Sequence, residues 1–440
     1  MSGPPPQRSQ YEASFQTVET LILCIASVFV VLGTYAQSFG DTADSRLATV
    51  LSLTQHGTWY IDRPEGEEPN CFEQRTIDKV QVKGHILSSK PPMLPLMMTG
   101  EYILLHKTLG WELLDAEDQP RIILFMAMTL IGGTYLAALL FFCWTLRLFT
   151  IDPMVRAVLL FSLAFCTQLW GYSGNINNHM PAAGMLTVAL YFALGLGSGR
   201  LEPKPWRFAA FGLIGGLVPT LDMPAAVFIA LAGFYLLAKW PRQTLGYVIP
   251  AAAIPIGIQS GILYAVTGSP LPVQMDNAVY LYETSYWRNP RGIDALDEPK
   301  GTYLFHMTFG RCGLFSLFPI LFAGIAASLR ALVKKDMPHR AYILAGLLGF
   351  LILTAYYLKT TNNYGGEAYG FRWYIVAMPV LLLMAAPLLE TVRARWQWVF
   401  IGLMIGISFY SAWECSKSPW GANRQWTTRF LGPTYGHWER

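Results

Sequence analysis

At 440 residues, 53% hydrophobic and only 14% charged, with a mean hydropathy of +0.34, the chain is too apolar for a soluble globule of its length. The net charge of +4 is small, and Lys and Arg occur in short clusters between apolar runs instead of on a basic face or arm, which argues against a nucleic-acid partner. Six cysteines show no CxxC and no His/Cys ligand pattern, so neither a metal site nor a redox motif is identified and no cofactor is predicted; dependence on a divalent metal is left open.

The first apolar run, 20–35, follows a polar start containing Gly3-Pro4-Pro5-Pro6. Residues 1–19 are expected to be disordered and cytoplasmic. The small-residue site Ala36-Gln37-Ser38 fits a signal peptide, but Glu12 and Glu19 beside Arg8 do not suit its basic head, so the run is read as the first membrane anchor. Further runs cover 121–146, 156–173, 181–198, 208–221, 224–238, 244–266, 314–329, 341–358, 373–389 and 398–413. With the first they make about eleven spans, of which 208–221 and 224–238 fall short of the usual ~20 residues.

Alternate connections carry Arg147 with Arg156, Arg200 with Lys204 and Arg207, Lys239 with Arg242, Arg330 with Lys334, Lys335 and Arg340, and Arg393 with Arg395. Such loops belong on the cytoplasmic side. Segment 91–109 is apolar yet holds Glu101, His106 and Lys107; counting it as a span would put nearly all the basic loops outside, so it is placed at the interface as an amphipathic or re-entrant helix. The expected fold is therefore an all-α polytopic membrane protein. Its membrane domain covers 20–413, with two large outer loops at 40–119 and 268–313, juxtamembrane helices in the first loop, and an outer tail at 414–440.

The first outer loop opens with Gly40-Asp41-Thr42-Ala43-Asp44-Ser45-Arg46. Leu47, Val50, Leu51 and Thr54 follow at i, i+3, i+4 and i+7, the spacing of an amphipathic helix. Asp41 and Asp44 share its first turn, where an aspartate either caps the helix or serves as general base to an acceptor. In Ser88-Ser89-Lys90-Pro91-Pro92 the prolines pre-set a helix start and hold Lys90 extended, either as a snorkelling lysine or as a point charge for phosphate. The last outer loop reads Gly365-Gly366-Glu367-Ala368-Tyr369-Gly370-Phe371-Arg372-Trp373; Arg372 is either an interfacial anchor or a bidentate phosphate ligand.

Asp222 sits between two short spans and can cap a helix or line a cavity. His179 and His306 face outward without a third ligand at recognisable spacing. Cys71, Cys312 and Cys415 also fall outside, where a disulfide is possible in an oxidising compartment. In the second outer loop Asp276, Asn277, Tyr280, Tyr282, Glu283, Tyr286, Trp287 and Arg288 offer stacking and hydrogen bonds to an acceptor.

Together these segments resemble the GT-C superfamily of integral-membrane glycosyltransferases, in particular bacterial dolichyl-phosphate-mannose-protein mannosyltransferase-like and aminoarabinose-transferase-like members. The resemblance is carried by Gly40-Asp41 with Arg46, His56-Gly57-Thr58-Trp59-Tyr60-Ile61-Asp62, Ser88-Ser89-Lys90-Pro91-Pro92, Asn177-Asn178-His179 and the 365–373 loop. It implies a GT-C-like bundle in the bacterial inner membrane, a polyprenyl-phosphate sugar as donor, and a lipid, glycan or protein as acceptor on the extracytoplasmic face. It also implies a first-loop aspartate as base and basic residues around the leaving lipid phosphate. Carried over by position, the base is Asp41 with Asp44 as runner-up; Thr42 stands where many relatives have an acidic residue, which leaves the two open. Lys90 and Arg372, assisted by Arg46 or Arg311, are the implied phosphate ligands, and Asn178, His179, Asp222, Glu367 and Tyr369 are cavity or acceptor candidates. A transporter or flippase of a lipid-linked saccharide is the competing class; the chain has no obvious internal repeat and no matched pair of broken helices.

Overall fold

A computed structural model of the chain describes residues 6–35, 40–63 and 66–434. The site Ala36-Gln37-Ser38 and residues 1–5 lie outside the described residues. In chain order the principal helices are α1 (Pro6–Leu32), α2 (Gly40–His56), α3 (Met93–Leu109), α4 (Asp118–Leu148), α5 (Pro153–Phe165), α6 (His179–Gly197) and α7 (Pro205–Leu221). They continue with α8 (Met223–Lys239), α9 (Pro241–Thr267), α10 (Pro319–Val333), α11 (Arg340–Thr360), α12 (Arg372–Leu389) and α13 (Arg395–Lys417). A hairpin, β1 (Lys79–Val82) with β2 (His85–Ser88), joins α2 to α3.

All eleven apolar runs are helical, and α1, α4, α6, α9, α11, α12 and α13 are long and apolar enough to cross a membrane. Four are shorter, not two. The run 156–173 breaks after Phe165, where Thr167 accepts from the Leu169 amide and starts a separate short helix, Gln168–Tyr172. The run 314–329 breaks at Phe318, which the following Pro319 holds out of the helical region. The start differs too: α1 begins at Pro6, a residue whose fixed φ suits a first helical turn, so the expected disorder does not extend to residue 19. All six cysteines are free, and Cys312 and Cys415 are buried, so the disulfide option is not taken.

Small residues set the closest helix contacts. Gly212 and Gly216 on α7 lie one turn apart against the backbone of Val248 and Ala252 on α9, and Gly324 on α10 lies against the Leu381 backbone of α12. A methyl group at any of these would meet main chain, so the helices are locked at backbone distance.

The polar residues separate to two ends of the bundle. At one end Glu19 of α1, 1% exposed, pairs with Arg147 of α4 and at 2.8 Å with Arg156 of α5, while Glu12 takes the other side of Arg156 at 2.6 Å. The same end brings Glu390 to the Asp152 amide (2.9 Å), Lys239 to the Gly197 carbonyl (2.6 Å) and Arg330 to Thr391 (2.7 Å). The basic connections singled out in the sequence thus meet at one end. Both long loops and the segment after α13 meet at the other: Trp287 donates to the Ile77 carbonyl (3.0 Å), Tyr303 to the Asn363 carbonyl (2.7 Å), and the Tyr369 amide to the Pro419 carbonyl (2.8 Å). Helix α3 packs on α2 and buries Leu94, Met98 and Leu105, leaving Ile103 and Leu104 exposed, and is not among the helices long enough to cross.

Candidate active site

The site is assembled from α2 outward. Asp41 ties the start of α2 to the segment before the hairpin: Oδ1 accepts from the Ile77 amide at 2.8 Å, and its carbonyl accepts from Thr76 Oγ1 at 2.7 Å. One turn on, Ser45 Oγ donates to the Asp78 carbonyl at 2.7 Å and lies 2.6 Å from Ser88 Oγ. Helix α2 therefore carries segment 76–78 and the end of β2 on one edge. This fixes Asp78 beside Lys90, carboxylate to ammonium at 2.7 Å, just before Pro91 and Pro92 turn the chain into α3. Asp44, 5% exposed, faces elsewhere and pairs with Arg75 at 3.2 Å.

Arg46 is fully buried on α2. Its Nη1 donates to the Thr42 carbonyl and, at 2.9 Å, to Thr42 Oγ1, while Nη2 donates to Asn178 Oδ1 at 2.7 Å. Asn178 Nδ2 passes the chain of bonds to the Leu221 carbonyl (3.0 Å), and the next residue, His179, meets Asp222 at 2.7 Å through Nδ1. The Asn-His turn and the Asp222 turn, 43 residues apart, are thus bonded to each other and to α2. Below them Asn178, Asp222, Pro91, Pro92, Gln259 and Tyr356 line a cleft of about 590 Å³. On the far side of Lys90 a second, apolar groove of about 410 Å³ runs between Trp59, Pro95, Ile262, Leu263 and Val266.

Arg372 enters from the loop before α12. Gly365, at φ 91°, brings bare backbone against the arginine stem, where a Cβ would lie 2.9 Å from Cγ. The guanidinium stands 4.8 Å over the Trp420 ring and donates no hydrogen bond to any described residue. Its Nε, like the Nε of Arg46, is buried without an acceptor. Buried donors are almost always satisfied, so two unmet guanidinium nitrogens beside a lysine mark a place for an anion.

Electrostatics bind these groups into one cluster. Burial pushes the Arg46 guanidinium down to about 10; Asp78 opposes that shift and Arg372 adds to it. Burial lowers the Lys90 ammonium, with Asp78 opposing and Arg46 adding. Burial raises the Asp41 carboxyl, the Ile77 amide pulls it back, and Asp78 pushes it further up. The second loop adds a carboxyl that no sequence pattern had marked: Asp294, bonded to Asn363 at 2.9 Å and to Tyr286 at 3.3 Å. Burial pushes it up to about 6; the Tyr286 hydroxyl opposes this, Asp78 and Asp41 add to it, and Arg372 lowers it. Among the described residues no group of three or more His, Cys, Asp and Glu is placed to hold a metal ion.

Of the residues singled out in the sequence, Asp41, Arg46, Lys90, Asn178, His179, Asp222 and Arg372 are gathered here. Asp44 is engaged by Arg75. Arg311 is held apart: Glu298 takes Nη2 and the Pro433 carbonyl takes Nη1 at 2.9 Å. Tyr369 is fully buried and ties its loop to the chain beyond α13, whereas Glu367 is exposed. Three residues of the cluster were missed. Asp78 and Asp294 lie in short polar stretches without periodicity, and Trp420 belongs to a tail whose return to the site has no local signature.

No family model matches the chain, and no curated protein matches it. Among solved structures it is similar to the oligosaccharyltransferase of Archaeoglobus fulgidus, crystallised with a tethered acceptor peptide containing the NVT sequon, with a TM-score of 0.47 and 14% identity. The match covers 91% of this chain and 55% of that one, so the chain spans about half the length of the structure it matches.

Proposed function

We propose that this chain is a GT-C-type integral-membrane glycosyltransferase that moves a sugar from a polyprenyl-phosphate donor to an acceptor lipid, glycan or protein. The observation that carries the proposal is the meeting of Arg46, Lys90 and Arg372, with unmet donors on two of them, beside the half-buried carboxyl of Asp41. The cations suit a lipid-linked phosphate, and the apolar groove on the far side of Lys90 suits the first isoprene units of its chain. The cleft toward Asp222 is left for the sugar.

In this reading an acceptor hydroxyl attacks the anomeric carbon while its proton passes to Asp41. The C1–O bond to phosphate breaks, and the electron pair leaves on polyprenyl phosphate, whose growing charge Lys90, Arg372 and Arg46 stabilise. Asp41 suits the base role because burial holds its carboxyl in a more basic range than a free carboxylate. Asp44, committed to Arg75, suits the supporting role. The cluster end is assigned to the extracytoplasmic face of a bacterial inner membrane because the basic connections lie at the opposite end.

The test is sugar transfer by purified protein supplied with a polyprenyl-phosphate sugar. Turnover in wild type with loss in Lys90→Ala and Arg372→Ala supports the enzyme. Donor movement across proteoliposomes without turnover would favour the transporter instead.

A further inference from the structure

We infer that Trp420, in the segment that follows α13, is a positioning residue that aims the Arg372 guanidinium at its anionic ligand. The inference rests on the reading of Arg372 as a phosphate ligand. Arg372 has no carboxylate, carbonyl or hydroxyl partner among the described residues; the groups that flank it are the Gly365 backbone along its stem and the Trp420 ring at its head, 4.8 Å from the guanidinium carbon. An aromatic face holds a guanidinium without consuming its donors, because the attraction is to the π cloud and the N–H groups lie in the plane of the cation. A carboxylate in that place would orient the arginine but also occupy it. The ring leaves Arg372 fixed and free to bind.

The ring is itself fixed. The edge of Tyr172 packs against it with centroids 5.6 Å apart at 87°. The preceding Pro419 carbonyl accepts from Tyr172 Oη (2.8 Å) and from the Tyr369 amide (2.8 Å), so one tail carbonyl binds both the short helix behind the site and the loop that carries Arg372. Gln425 Oε1 takes the Gly370 amide at 2.7 Å, and Trp426 is tied to Ser411 at 2.8 Å. Trp420 Nε1 is itself a buried donor without an acceptor among the described residues.

The experiment is a double-mutant cycle on the full chain in detergent, reading the Kd of a polyprenyl monophosphate together with kcat and KM for the donor. Trp420→Leu keeps apolar bulk and removes the π face; it is expected to raise Kd and donor KM about 10- to 30-fold, the effect of losing a desolvated cation–π contact. Trp420→Phe is expected to recover most of that loss. In an Arg372→Ala background Trp420→Leu should add nothing. Should Trp420→Leu fail to fold, Gln425→Ala loosens the same tail from Gly370 and is expected to raise Kd in wild type but not beside Arg372→Ala. Weak binding in Arg372→Ala with normal binding in Trp420→Leu, or additive losses in the double variant, would overturn the inference while leaving the phosphate grip intact. Normal binding in Arg372→Ala would overturn the grip and the inference with it.

Discussion

Asp78→Asn is the perturbation with the least intuitive expected outcome. Asp78 is the counter-ion of Lys90, at 2.7 Å, with side-chain exposures of 13% and 19%. Removing one member of a buried pair leaves the other charge uncompensated at ~3–5 kcal/mol; residual access to water brings the expected cost here to ~2–3 kcal/mol. A donor phosphate would supply the missing negative charge, so much of that cost is recovered on binding. Recovery of ~2 kcal/mol corresponds to about 30-fold in affinity. The variant should therefore melt earlier than wild type when empty, bind a polyprenyl monophosphate about tenfold or more tightly, and gain more thermal stability from it than wild type does. Asp78 also raises the carboxyls of Asp41 and Asp294, so its removal lowers both and moves the acid limb of the rate profile to lower pH. The assay is calorimetric binding beside melting curves with and without ligand in one detergent. An unchanged or weaker Kd would show that Asp78 does not compete with an anion for Lys90.

Asp294 gives a pH signature in stability. Its folded-state carboxyl, at about 6, stands above its ordinary 3.8, so the folded protein favours the proton, and the associated stability is lost as pH rises from about 4 to 6, by about 3 kcal/mol at most. Asp294→Asn should flatten that part of the melting-temperature profile, and an unaltered slope would rule Asp294 out as its source. Arg372→Lys should restore only part of the phosphate affinity lost in Arg372→Ala, because an ammonium cannot reproduce a planar fork; full restoration in a Kd measurement would contradict that geometry. At the other end of the bundle, Glu19→Gln strips the shared buried partner from Arg147 and Arg156 and should cost ~2 kcal/mol, below the ~3–5 kcal/mol of a fully orphaned buried charge because Arg147 is 40% exposed and Arg156 keeps Glu12, while turnover per folded molecule stays at the wild-type value. A large fall in turnover at unchanged stability would refute the separation of the two ends.

Most of the helical scaffold was legible because long apolar runs bounded by charge have few alternatives in a chain this hydrophobic. What composition could not show was where a run breaks. Thr167 and Pro319 interrupt apolar stretches locally, and α1 extends back to Pro6 because Glu12 and Glu19 find arginines on α4 and α5, far along the chain. The same limit applied to the site. Lys90 and Arg372 stood out beside prolines and glycines that fix the local backbone. Asp78 had nothing local to mark it, and gains its place from Ser45 and Ser88 across the hairpin. Arg311 stood in the sequence beside Arg46 as an assisting ligand, but Glu298, 13 residues earlier, claims it. Trp420 stayed hidden because its partner lies in a loop that precedes a different helix.

The most direct measurement is the initial rate of sugar transfer from a polyprenyl-phosphate sugar to a supplied acceptor, for wild type, Asp41→Asn and Asp44→Asn in the same detergent, with donor binding followed separately. Asn keeps the shape and the acceptor oxygen facing the Ile77 amide but loses the charge and most of the basicity. The account predicts that Asp41→Asn stays folded, binds donor and loses at least the ~10²-fold in rate typical of general-base help, while Asp44→Asn, which weakens the pair with Arg75, is milder. A full rate in Asp41→Asn beside a dead Asp44→Asn would move the base three residues along α2, and full rates in both would contradict the mechanism.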